Sequence, residues 1–190
     1  MLTRVRTTQI VFVMMLGACT SALALGSQTH ALVNNVAAVG SARFDHQLRA
    51  ALGFKDGIAT RLRHGAVLRD ITQWLEEGGE REDDAIRFLF HFHDPLRVAD
   101  SAGLGLGSAR FASSATWMHD RAQLWSWPSA RVRYYQALTE ADPVIREALW
   151  ADLFRALGQV MHLVVDASVP EHTRNDMHPF GAVKLGNSYE

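Results

Sequence analysis

The sequence predicts an all-α protein, and three observations support this prediction. The chain has 190 residues, is 48% hydrophobic and carries a formal net charge of −1, which fits one domain with a substantial core. Alternating runs of Val, Ile and Thr are scarce, and no hairpin dipeptide separates such runs. Apolar residues recur instead at helical spacing between helix caps and helix breakers.

The first half of the chain is expected to contain three helices. One spans 30–39 and is ended by Gly40, and a second spans 44–52 and is stopped by Gly53, where a left-handed cap is expected. The apolar side chains of 67–75 recur at helical spacing and predict a third helix, which Gly78 and Gly79 should break.

The second half begins with a glycine-rich and serine-rich loop over 101–108. Ser126 then precedes Trp127 and Pro128, a plausible helix start. The clearest helix follows Asp142, which can cap it, with Pro143 in its first turn and a broad apolar surface that only a buried helix needs.

Residues 1–24 are expected to be a signal peptide, because two arginines precede an apolar run and Ala22 and Ala24 supply the small residues of a cleavage site. The protein is then secreted or periplasmic, and the run is too short for a stable transmembrane span. A competing interpretation is a lipobox at 16–19, which would tether the chain to a membrane through a lipid on Cys19.

Removal of residues 1–24 takes away Arg4 and Arg6 and no acidic residue, which leaves 17 basic and 20 acidic residues and a formal charge of −3. No basic stripe remains, so the balance weighs against a long nucleic acid as the main ligand. The remaining chain, 25–190, has no cysteine and depends on its core, on bound metal, or on both.

The most informative stretch lies at 162–172. It places His162 and Asp166 four residues apart in an apolar helical run and adds His172 after Pro170. An isolated pair of this kind is most often a core histidine bonded to an aspartate. A buried carboxylate is costly, however, unless a positive charge pairs with it. The third candidate ligand, His172 after the proline, therefore favours a divalent cation.

These residues resemble the zinc-dependent phospholipase C and single-strand nuclease superfamily. His162, Asp166, Pro170 and His172 match the family's His, Asp, Pro and His at the family's spacing. The segment around His91 is similar to a second ligand motif, and His30 is similar to the first ligand histidine. Cleavage after Ala24 would leave Leu25 as the new N-terminus, where the family, usually with Trp, binds zinc through the backbone amine and carbonyl. Lipidation at Cys19 would abolish that ligand.

The resemblance also implies a carboxylate ligand shortly before His91. Asp83 is the preferred candidate, with Glu82 and Asp84 as alternatives, although an acidic run is also typical of a solvated helix start. A third metal site would use His172 with His178 or Glu190. Its last element is incomplete, because Gly186 stands where the family has a histidine four residues before the acid. The chain stops in what resembles the start of a further helix, so a C-terminal truncation is one expectation.

The resemblance implies an exported phosphoric ester hydrolase with two or three Zn²⁺ ions and a metal-bound hydroxide as the nucleophile. Asp166 would bridge two ions, and Asp83 would bridge or accept a proton. A phospholipid headgroup is favoured over single-stranded nucleic acid because the chain is not basic.

The oligomeric state is open. The alternatives are a single-strand nuclease, a noncatalytic zinc-stabilised helical module of a surface protein, and a helical envelope lipoprotein. The full set of metal ligands proposed from the sequence is Leu25, His30, Asp83, His91, His162, Asp166, His172, His178 and Glu190.

Overall fold

The computed structural model describes residues 26–175, and this part of the chain is mostly helical. The prediction of a helical fold is confirmed at that level. The helices are α1 (Ser27–Gly40), α2 (Ala42–Ala50), α3 (Ile71–Arg81), α4 (Ser114–Met118), α5 (Trp127–Thr139), α6 (Pro143–Asp166) and α7 (Pro170–Thr173). Two small antiparallel hairpins accompany them, β1 (Arg61–His64) with β2 (Val67–Asp70) and β3 (Gly105–Leu106) with β4 (Ala109–Arg110).

Helix α6 is the centre of the fold. It packs against α3, α5 and α1, and its apolar side chains form the main core with those of α3. Phe154 of α6 and Ile71 and Leu75 of α3 are almost completely buried. Asp142 accepts hydrogen bonds from the first backbone amides of α6, and Pro143 occupies the first turn, as expected.

Length and apolar composition would allow α6 to cross a membrane, and half of its most apolar window is buried within the structure. The central helix of a bundle has the same properties. Its buried polar side chains include Gln159, His162 and Asp166.

The region around 67–79 differs from the sequence prediction. Val67 and Leu68 belong to a hairpin and not to a helix, because Gly65, with φ of +59°, allows the chain to turn back at 65–66. Leu62 is the one buried side chain of β1, and its carbonyl accepts a hydrogen bond from the Trp74 indole at 3.1 Å. The buried Leu62, this hydrogen bond, and Arg69 of β2, which pairs with Glu77 and lies over the Trp74 ring, therefore hold the hairpin against α3.

Gly78 and Gly79 do not break α3, which continues to Arg81. A Cβ on Gly78 would lie 2.1 Å from the carbonyl oxygen of Arg155, and a Cβ on Gly158 would lie 2.1 Å from that of Leu75. The two helices cross with backbone against backbone, which is possible only where neither has a side chain. The helix-weakening effect of these glycines is offset by this close packing.

Asn34 joins α1 to this crossing. Its buried Nδ2 donates to the carbonyls of Leu75 at 3.0 Å and Gly158 at 3.0 Å. A Cβ on Gly79 would meet Asn34 Nδ2 at 2.7 Å and the backbone of α1. The residues Asn34, Gly78, Gly79 and Gly158 therefore form one close junction of α1, α3 and α6, which we call the three-helix junction.

The long connection from 82 to 126 lies between α3 and α5. It contains 3-10 turns at Arg87–Phe90 and Ala99–Ser101, the β3–β4 hairpin and α4. The hairpin occupies part of the segment expected to be a loop. A second small core of Leu89, Phe92 and Leu104 supports this connection. Ser126 then caps α5, as predicted.

We expect Gly158→Ala to lower the free energy of unfolding by about 2 kcal/mol or more, because the overpacked methyl group destabilises the fold by more than the higher helix propensity of alanine stabilises it. Its Cβ would force α3 and α6 apart at Leu75. Gly40→Ala, at the last residue of α1, is the control, since nothing lies within 4 Å of a Cβ at that position. Urea unfolding of both variants measures the difference. Equal stability of the two variants would contradict the importance of the junction.

Candidate metal centre

Six side chains predicted as metal ligands converge at one end of the three-helix junction. His30 comes from α1, His162 and Asp166 from α6, Asp83 and His91 from the connection after α3, and His172 from α7. The imidazoles of His30, His91, His162 and His172 are 0–3% exposed, and Asp166 is completely buried. The structure thus brings together residues separated by more than 140 positions in the sequence.

The two oxygens of Asp166 face different histidines. Oδ2 lies 2.9 Å from His91 Nδ1 and 3.2 Å from His162 Nε2. Oδ1 lies 3.2 Å from His30 Nε2 and 3.2 Å from His172 Nδ1. One carboxylate is therefore shared by two pairs of imidazole nitrogens, one pair on each oxygen.

Asp83 completes the side of the cluster that faces Asp166 Oδ2. Its Oδ1 lies 3.5 Å from His162 Nε2 and 3.6 Å from His91 Nδ1. Glu82 and Asp84, the alternatives considered from the sequence, point elsewhere. Glu82 accepts hydrogen bonds from Trp117 and Arg87, and Asp84 is exposed beside Arg81. Of the three acids, only Asp83 reaches the histidines.

Backbone carbonyls hold two of the imidazoles. His162 Nδ1 donates to the carbonyl of Gly79 at 2.7 Å, and His91 Nε2 donates to the carbonyl of Glu82 at 3.2 Å. Because these carbonyls can only accept, the opposite ring nitrogens are left as acceptors in the neutral imidazoles. Both of those nitrogens face the carboxylates. Metal-ligating histidines are usually oriented in this way.

His162 Nε2 and His91 Nδ1 lie 3.3 Å apart, but several of the other facing atoms have no hydrogen-bond partner in the part of the chain that the structure describes. Within the described residues, both oxygens of Asp83, both oxygens of Asp166 and Nδ1 of His172 are buried without a hydrogen-bond partner. Buried polar atoms are rarely left in this state, and a buried carboxylate is especially costly without a partner. Their grouping at 2.9–3.6 Å is compatible with ligand atoms arranged around a shared cation.

The separations fit a metal ion. Zinc binds imidazole nitrogen and carboxylate oxygen at about 2.0–2.2 Å in a tetrahedral arrangement, which places neighbouring ligand atoms about 3.3–3.6 Å apart. The clusters His30, His162 and Asp166, and Asp83, His91 and His162, each bring one ligand atom per residue within 4.8 Å of the others. These buried His and Asp groups could hold a metal ion.

The charges of the cluster perturb its carboxyl groups in opposite directions. Burial raises the pKa of Asp83 to about 7, and the nearby charge of Asp166 adds to this effect against the opposing attraction of His162. Burial would also raise the pKa of Asp166, but attraction to His162 and His91 outweighs it and holds that pKa well below its usual range. Burial lowers the pKa of His30. The cluster therefore favours an ionised Asp166 beside an Asp83 carboxyl group that titrates near neutral pH.

The remaining predicted ligands, Leu25, His178 and Glu190, lie outside the described residues, as do residues 1–24 and Cys19. Pro170 does not itself end α6. The helix ends at Asp166, and Pro170 begins α7, whose third residue, His172, lies against Asp166. The backbone amide of His93 donates to the carbonyl of His172 at 2.9 Å and fixes α7 against the connection.

Sequence reasoning missed the groups that orient the ligands. The carbonyls of Gly79 and Glu82 have no sequence signature, and the sequence predicts Gly79 only as a helix breaker. The spacing of His162 and Asp166 on α6 is a local property that the sequence shows. The contacts from α6 to α3 depend instead on packing between distant segments of the chain.

Comparisons with protein-family models, with curated proteins and with solved structures give no match to this chain.

We expect zinc to stabilise the protein more at pH 8 than at pH 6. Because folding raises the pKa of Asp83 to about 7, its proton stabilises the metal-free fold in acid, and this contribution is lost as the pH rises through about 7. A bound cation replaces that proton. The measurement is the difference in melting temperature between zinc-loaded and chelator-treated protein across this pH range.

Asp83→Asn separates this effect from protonation of the histidines. At pH 8 the metal-free variant should be at least as stable as the metal-free parent protein, because it lacks a buried ionised carboxylate without a hydrogen-bond partner. Its zinc-induced stabilisation should be smaller and should vary less with pH. A metal-free variant that is clearly less stable than the parent would instead assign Asp83 an ordinary structural role.

Proposed function

We propose that this protein is an exported zinc-dependent phosphoric ester hydrolase of the phospholipase C and single-strand nuclease type. The observation that carries the proposal is the sharing of Asp166 between two pairs of histidines, with His91 and His162 on one oxygen and His30 and His172 on the other. A carboxylate shared in this way is suited to hold two ions close together. Paired metal ions are a common solution for phosphate ester hydrolysis.

Each proposed ion has its own set of ligands. Asp83, His91, His162 and Asp166 would hold the first, and His30 and Asp166 would hold the second together with the backbone of Leu25. His172 would begin a third site with His178 or Glu190, as the family resemblance suggests. Imidazole and carboxylate ligands suit zinc, although iron, nickel and manganese accept similar sets.

When bound, zinc supplies Lewis acidity to phosphoryl oxygens and lowers the pKa of its water ligand toward about 7. The chain itself contributes orientation and proton handling. The carbonyls of Gly79 and Glu82 hold His162 and His91 in the tautomers that leave their inward nitrogens free. Asp83, whose pKa is raised to about 7 by burial, is suited to hold or release a proton near neutral pH.

A phospholipid headgroup is the favoured substrate. After loss of residues 1–24 the chain is acidic overall, with 17 basic and 20 acidic residues. A polyanionic backbone would be attracted weakly by such a chain. Single-stranded nucleic acid remains the competing substrate of the same chemistry.

The burial of the centre favours one second candidate, a zinc site that serves folding alone. The four histidines and Asp166 are 0–3% exposed, and structural zinc sites are closed in this way, whereas catalytic sites keep an open position. Asp83, with a side chain that is 7% exposed, is the most accessible member. A helical lipoprotein without metal is the third possibility, and it requires lipidation at Cys19.

We expect the purified exported protein to contain at least two zinc equivalents and to hydrolyse bis(p-nitrophenyl) phosphate. Asp166→Asn should reduce the rate at least about 100-fold, since it removes the shared ligand and several kcal/mol of transition-state stabilisation. His119→Ala is the control, because His119 is exposed and bonds only to the nearby Ala115 carbonyl. Fewer than two zinc equivalents would contradict the proposed catalytic centre.

Further arms distinguish the candidates. Phosphatidylcholine vesicles and single-stranded DNA, assayed with the same preparation, separate a phospholipase from a nuclease. Two bound zinc ions without hydrolysis, together with unfolding in chelator, would support the structural role. Normal folding of the His162→Ala, Asp166→Ala double variant in chelator would oppose both zinc functions. The intact mass of the exported protein distinguishes an N-terminus at Leu25 from a lipidated Cys19.

A further inference from the structure

A buried polar network lies directly behind the candidate metal centre. Glu82 is completely buried, and both of its carboxylate oxygens are occupied. Trp117 Nε1 donates to Oε1 at 2.8 Å, while Arg87 donates to Oε2 through Nε at 3.2 Å and through Nη2 at 2.5 Å. The Arg87 guanidinium also lies 5.1 Å from the centre of the Trp117 ring. Glu82 is thus a fixed anchor for the connection after α3.

Arg87 extends this network to α6. Its Nη2 lies 2.9 Å from Gln159 Oε1 and 3.0 Å from Gln123 Oε1. Gln159 is 1% exposed and precedes His162 by one helical turn on α6. One guanidinium therefore links the segment that supplies Asp83 and His91 to the helix that supplies His162 and Asp166.

The backbone of Glu82 connects this polar network to the candidate metal centre. Its carbonyl accepts from His91 Nε2, and that same planar peptide unit contains the amide nitrogen of Asp83. A rotation of this one peptide would disturb both the tautomer of His91 and the position of Asp83. Movement of the Glu82 side chain would therefore be transmitted to two proposed ligands at once.

The backbone just after the 82–83 peptide adopts a strained conformation that contacts of this kind can hold. Ala85 has a φ of +54°, a left-handed conformation that alanine seldom adopts. Strain of this kind persists only where surrounding contacts determine the conformation. Within the described residues, the ion pair of Glu82 and Arg87 spans Ala85 and closes the turn around it.

We propose that Glu82 and Arg87 are a positioning pair that sets the geometry of the metal centre by fixing the 82–83 peptide and joining it to α6. Among the residues that the structure describes, these two side chains contact none of the proposed ligand atoms that face the cluster, and the pair is not itself a catalytic group. This inference rests on the metal binding of the proposed function and is independent of the hydrolytic step.

The test compares the zinc affinity of Arg87→Met with that of Arg81→Met in the full chain, by competition with a chelating dye at pH 7.5. Arg81 is the matched control, since it lies at the end of α3, is half exposed and pairs with Asp84 at 3.2 Å. Both variants lose one positive charge, which by direct electrostatics would strengthen binding of a cation. We expect Arg87→Met to weaken zinc binding about 10–100-fold, as loss of an orienting partner does, and Arg81→Met to bind as tightly as the parent protein or more tightly.

A second measurement reports on orientation directly. In ¹⁵N-histidine-labelled protein without metal, the His91 ring should carry its proton on Nε2, and Arg87→Met should shift this signal toward a mixture of tautomers. A contribution to fold stability alone would lower the unfolding free energy and leave the zinc affinity of the folded protein and the His91 tautomer unchanged. That result would overturn the inference.

Removal of one partner of a buried ion pair can prevent folding. In that case Trp117→Phe provides the test, because it removes only the indole donor to Glu82 and keeps a ring that can stack on Phe90, whose centroid lies 4.1 Å away. We expect zinc binding several-fold weaker than in the parent protein, and unchanged binding by this folded variant would overturn the inference. Absence of zinc binding in the parent protein would sink both proposals, whereas zinc binding without hydrolysis would sink only the hydrolase.

Discussion

At the three-helix junction, α1, α3 and α6 approach so closely that their backbones determine how the helices pack. Gly78 and Gly158 let two helix backbones touch, and Asn34 bonds to a carbonyl of each from α1. A Cβ at either glycine would clash with the backbone of the other helix, and the helices would have to move apart because backbone atoms cannot rotate away. Because the junction admits one arrangement, it fixes the rotation and height of all three helices.

The candidate metal centre lies one helical turn from this junction. His162 follows Gly158 by four residues, His30 precedes Asn34 by four, and the carbonyl of Gly79 holds the His162 ring. The helices therefore present their ligands at a spacing determined by the glycine contacts. The connection after α3 then adds Asp83 and His91, anchored by the buried side chain of Glu82. The buried carboxylates cost stability in the absence of a cation, so the fold and the proposed metal are energetically coupled.

The opposite perturbations of the two carboxyl groups follow from this arrangement. Asp166 lies among four imidazoles, and attraction to His162 and His91 keeps it ionised. Asp83 lies at the edge of the cluster, where the effect of burial on its pKa exceeds that of the attraction to His162. The pKa of Asp166 is thus held well below its usual range, whereas that of Asp83 is raised to about 7. Two groups of the same type with separated pKa values are characteristic of functional sites, although ion-pair networks produce them too.

The helical class, the caps of α5 and α6, and the candidate ligands His162, Asp166 and His172 follow from the sequence alone, because helical periodicity, capping and residue spacing are local properties. Resemblance to a family pattern adds His30, His91 and Asp83 as candidates. Packing alone decided that Gly78 and Gly79 continue a helix, that 67–70 pairs as a strand, and that Glu82 faces Arg87 while Asp83 faces the histidines. Those outcomes depend on which backbone or charge lies opposite each residue, and that partner is set only when distant segments of the chain meet.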